Sequence, residues 1–142
     1  MPAADDPFDL QRFVDAQAPV YERVRAELKN GRKQSHWMWF IFPQIAGLGH
    51  SAMAQRYAIS SLAEAEAYLE HPVLGARLRE CTRLVVAATG ESAYEILGSP
   101  DDMKFHSCMT LFARADPQED MFHAALEKYF DGRDDALTRA RV

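Results

Sequence analysis

Six consecutive large apolar residues, Trp37-Met38-Trp39-Phe40-Ile41-Phe42, constrain this chain more than any other stretch. Four of the six are aromatic, and both tryptophans of the protein lie among them. Folded as a helix, such a run is apolar on every side and has to be surrounded by other elements. Periodicity alone also admits a short strand. Helix is the preferred reading because the flanking segments carry helical signals. Polar residues bracket the run, with Lys33, Gln34, Ser35 and His36 before it and Pro43 and Gln44 after it.

Those helical signals repeat along the chain. Asp6-Pro7 supplies an N-cap and an N1 proline, and Pro19 interrupts the helix that follows. Val20, Tyr21, Val24 and Leu28 form an apolar face that Asn30-Gly31 ends. Gly47 and Gly49 make a loop, after which Ser51 caps a short helix. Ser61-Leu62-Ala63-Glu64 is a capping box. Leu74, Leu78, Cys81, Val85 and Ala88 then hold the clearest helical period, closed by Gly90. A second capping box stands at Ser92–Glu95. Ser99-Pro100-Asp101-Asp102 opens a long helix with Phe105, Cys108, Met109 and Phe112 on one face; Lys104, Ser107, Thr110 and Arg114 fall on the other. Asp116–Glu119 starts a helix carrying Phe122, Ala125, Leu126 and Tyr129, Gly132 stops it, and Asp134 begins a last turn. The expected fold is all-α, one compact domain of about seven or eight helices over residues 7–142, preceded by a flexible segment 1–6.

Composition narrows the function classes. A chain of 142 residues is the size of one domain, and one core removes roughly 68% of its unfolded surface from water. The net charge of −5, with no dense Lys/Arg cluster, argues against nucleic acid as a partner. No apolar run approaches the roughly 18 residues needed to span a membrane, and the first residues lack the pattern of a secretory signal. Cys81 and Cys108 sit on apolar helical faces and read as buried thiols, which fits a cytoplasmic location. The five histidines are scattered without metal-ligand spacing, so neither a metal nor a cofactor is expected.

Any activity is therefore expected where polar groups crowd the aromatic run. With Ser35 as N-cap, the helix start would offer unpaired amides to an anion, Lys33 a nearby charge and His36 a group titrating near neutrality. His36 is the candidate general acid/base. Trp37 is the candidate stacking surface. Gln44, His71, Lys104 and Ser107 complete the candidate ligand-binding set. The bland alternatives are a core segment, a capping serine, a backbone-bonded histidine and a solvated helix face.

The string Lys33–Gln44 followed by Gly47-Leu48-Gly49-His50-Ser51 resembles a bacterial family of helical proteins of unknown function, some members of which carry the label "calpastatin". The resemblance continues through Tyr68–Gly75, Ile96–Lys104 and Ser107–Phe112, where Cys108 stands in place of a serine. It implies an all-α single domain and no established activity. An inhibitor of the calpastatin kind is long, disordered and repetitive, whereas this chain is aromatic-rich and has no repeats. Two functional expectations follow. The first is a pocket for a nucleotide-like or anionic metabolite, with hydrolysis by His36 included. The second is a non-catalytic interaction or self-association module, monomeric or homodimeric.

Overall fold

The computed structural model describes residues 6–89 and 92–142. The expectations for residues 1–5 and for Gly90 lie outside the described residues. Ten helices occur among those described: α1 (Gln11–Gln17), α2 (Tyr21–Lys29), α3 (Met38–Ile41), α4 (Ala52–Arg56), α5 (Leu62–Glu70), α6 (Leu74–Ala87), α7 (Ala93–Leu97), α8 (Asp101–Ala115), α9 (Asp120–Phe130) and α10 (Ala136–Arg139). The all-α expectation holds. The helix count is higher than expected because α3, α4, α7 and α10 are only four or five residues long.

Helix α8 is the central element and packs against α5, α7, α9 and α10. Every residue from Ser107 to Ala113 is buried. The expected solvated face of Ser107 and Thr110 is thus a correction: α10 covers it. Thr110 Oγ1 accepts from Asp135 N at 2.8 Å, and Ser107 Oγ donates to Asp135 Oδ2 at 3.1 Å. That carboxylate also accepts from Thr138 N and Thr138 Oγ1, capping α10. Two buried hydroxyls, each of which would be costly unpaired, are satisfied by one aspartate segment.

The aromatic run forms the spine of the core. Trp37, Met38, Phe40, Ile41 and Phe42 are buried, and Trp39 is half-buried. Phe42 meets Phe105 of α8 edge-to-face at 5.0 Å, and Phe40 meets Tyr57 at 5.4 Å. Full burial of side chains of this size is worth about 1.5–3 kcal/mol each. Gln17 fastens the end of α3, its Nε2 donating to Phe40 O at 2.7 Å and to Tyr68 Oη at 3.1 Å. The chain after α3 is held by an isolated parallel bridge between Ile45 and Ile59, and no strand occurs among the described residues.

The cap signals were partly right. Ser51, Ser61 and Ser92 accept from the backbone N–H three residues on, as expected. Glu64 does not close a box with Ser61; it turns instead to Ser60 and Arg12. Ser99 makes no cap bond, and the residue before α8 is Pro100. Ser35 is not a cap either, because α3 begins three residues later, after Trp37.

Candidate functional site

Glu27 determines how the aromatic run is approached. It lies on α2 one residue before buried Leu28, and it is itself buried. Its Oε1 accepts from Gln34 N at 2.8 Å, Ser35 N at 3.1 Å and Trp37 Nε1 at 2.9 Å, while Oε2 accepts from Ser35 Oγ at 2.5 Å. Burial pushes this carboxyl up, but the four donors outweigh it and bring the pKa down to about 2. Residues 34–37 are therefore wrapped around a permanent anion. The approach to the run, expected to await an external anion, already holds an internal one, which occupies the Gln34 and Ser35 amides. Sequence reading missed Glu27, although a carboxylate three residues after Val24, on the apolar stripe, was the available signal.

A second charge cluster lies beside it. The Lys33 side chain is buried, its Nζ 2.9 Å from Asp101 Oδ2 and 5.0 Å from the Trp37 ring. Lys104 Nζ is 3.9 Å from the other oxygen, Asp101 Oδ1, and 5.5 Å from the Trp39 ring. One carboxylate thus stands between two ammonium groups, and its tight partner is Lys33. Lys104 keeps only a loose share of Asp101.

Lys104 faces a partly enclosed cavity of about 150 Å³. Trp39, Phe42, Tyr57, Ile45 and the 46–49 loop supply most of its wall, with α4 on one side. The polar groups on the wall are Lys104, Gln44, Gln55 and Tyr57. Gln55 Nε2 is committed to His50 O at 2.9 Å. The Gln44 carboxamide and the Tyr57 hydroxyl make no hydrogen bond with the described residues. Gln44 is held in place through its backbone, whose carbonyl accepts from Ile59 N at 2.8 Å. The wall thus combines aromatic surface with two unbonded polar groups, Gln44 and Tyr57, and one loosely paired ammonium, Lys104.

The structure brings Gln44 and Lys104 together at this cavity and leaves the other expected site residues out of its lining. Trp37 is 1% exposed and bonded to Glu27, so Trp39 is the accessible indole. Lys33 is spent on Asp101. His71 Nδ1 accepts from Val73 N at 3.1 Å and Leu74 N at 3.3 Å, which makes it a helix-start residue of α6. Ser107 is tied to Met103 O and Asp135. His36 is exposed, makes no hydrogen bond with the described residues and lies outside the lining. Among the described residues there is no group of three or more His, Cys, Asp or Glu able to hold a metal, and no helix long and apolar enough to cross a membrane.

Residues 7–142 match the family described as protein of unknown function (DUF1810). The fold is also similar to the crystal structure of the conserved hypothetical protein Rv1873 from Mycobacterium tuberculosis. That chain is 59% identical, with a TM-score of 0.93 over 95% of this chain and 96% of the other. No curated protein matches the chain.

Proposed function

We propose that this chain, which belongs to the DUF1810 family of proteins of unknown function, binds a small, planar, anionic molecule in the cavity beside Trp39. The observation that carries this is Lys104, a cation on the wall of an aromatic cavity whose nearest carboxylate is already claimed by Lys33. A ring enters against Trp39, Lys104 supplies the charge, and Gln44 and Tyr57 supply hydrogen bonds. Size sharpens the ligand class. About 150 Å³ is the volume that takes one benzene-sized ring, so the enclosed part of the cavity suits a single ring with an anionic substituent.

The reading is one of binding. Neither a carboxylate nor a histidine lines the cavity, and His36, the candidate acid/base, lies outside it. The alternative of an interaction module built on the aromatic stretch has little surface to use, because all of Trp37–Phe42 except Trp39 is buried. Benzoate is the simplest probe, titrated by ligand-observed NMR. Lys104→Ala is expected to weaken its binding about tenfold, equivalent to about 1.4 kcal/mol, and His36→Ala to leave it unchanged. Equal affinity in wild type and Lys104→Ala refutes the assignment.

A further inference from the structure

The 46–49 loop of the cavity carries a second cation that sequence reading did not single out. Arg141 follows α10, and its backbone is fixed: its N–H donates to Thr138 O at 2.9 Å. Its guanidinium packs against Gly47, a residue of the cavity wall. A Cβ built on Gly47 would stand 2.5 Å from Arg141 Nη1 and 2.7 Å from Cζ, so the approach requires a bare glycine. The backbone asks for glycine independently, with φ at +99°. Yet the fork is scarcely bonded. Its one hydrogen bond is from Nη2 to Gly47 O at 3.5 Å, the limit of such a contact, and the side chain is exposed.

A guanidinium presents five N–H donors in a fixed plane matched to the two oxygens of a carboxylate or phosphate. Here the guanidinium rests against Gly47, outside the lining itself, while most of its donors stay uncommitted. The α10 anchor, Asp135 on Ser107 and Thr110, fixes where this segment docks on α8. Lys104 belongs to the same helix, so both cations are referred to one scaffold. Lys104 stands on the cavity wall and Arg141 stands against Gly47, one residue of that wall, so a swing of the Arg141 side chain would add a second cation to the site.

We infer that Arg141 is a binding residue of this cavity, releasing the Gly47 carbonyl to clamp the oxyanion of a single-ring carboxylate or phosphate monoester. The inference rests on the cavity being a ligand site and adds the residue that reads the oxyanion. The test compares benzoate, phenyl phosphate and neutral benzamide by ligand-observed NMR on wild type, Arg141→Ala and Arg141→Lys. Arg141→Ala is expected to weaken both anions about tenfold and leave benzamide alone, and Arg141→Lys to recover only part of the loss because a lysine cannot bond bidentately. A larger loss for benzoate points to a carboxylate ligand, and a larger loss for phenyl phosphate to a phosphate. Anion binding that is indifferent to Arg141→Ala overturns the inference while leaving the cavity reading intact. Failure of all three probes to bind wild type overturns both.

Discussion

Among single residues, Glu27 has the most far-reaching consequence. Its folded pKa is depressed to about 2, below its ordinary value of 4.5. The stability it contributes is therefore fully present above about pH 4.5 and is lost as pH falls toward 2. The shift corresponds to about 3 kcal/mol. Glu27→Gln is expected to be clearly less stable than wild type at pH 7, with the gap closing between pH 4.5 and 2. Urea unfolding of both proteins across that range measures it, and a gap independent of pH would remove the charge-based account. The two thiols make a second case. Burial pushes Cys81 up to about 12 and Cys108 well above its ordinary value. Neither is expected to react with a thiol reagent at pH 8 faster than the protein unfolds, and immediate labelling of either would contradict the burial. The buried state of both cysteines was legible from their helical positions. Glu27 was not, because a carboxylate on a helix reads as solvent-facing until its four donors are brought to it by residues that follow in the chain.

The helices and their junctions give sharper mutational signs. Alanine normally stabilises a helix relative to glycine by about 1 kcal/mol. Gly75, in the first turn of α6, should do the opposite, because an added Cβ meets the backbone carbonyl oxygen of Leu69 at the end of α5. Overpacking of this kind costs about 1–3 kcal/mol. A lowered urea midpoint for Gly75→Ala is the expected result, and a raised one would mean that α5 and α6 are not this close. Asp135→Ala removes the α10 cap and the partner of Ser107 together. It is expected to cost about 1–2 kcal/mol and to speed amide exchange in residues 136–141 without affecting α6. The caps at Ser51, Ser61 and Ser92 could be read from sequence because each is local. Ser35 and Ser99 look the same locally and fail, one because Glu27 claims it and the other because α8 begins at Asp101 without it.

The whole molecule explains why the fold could be read further than the site. Helical period, proline and glycine placement are properties of neighbouring residues, and they sufficed for an all-α chain centred on α8. The cavity, by contrast, gathers Trp39, Gln44, Tyr57 and Lys104 from three separate stretches, and Arg141 reaches its wall from nearly a hundred residues away. Gln44 was reachable as a polar residue beside the aromatic run, and Lys104 as part of the polar stripe on the long helix α8. Tyr57 and Arg141 carried no local mark at all. The run is mostly core, with Trp39 as its accessible indole on the cavity wall. The two indoles test this directly, since Trp37 Nε1 is locked on Glu27 and Trp39 is on the cavity wall. In a proton–nitrogen correlation spectrum titrated with benzoate, the Trp39 indole signal should move saturably while the Trp37 signal stays in place. A Trp39 signal that does not move, or a Trp37 signal that moves with it to the same extent, contradicts the account.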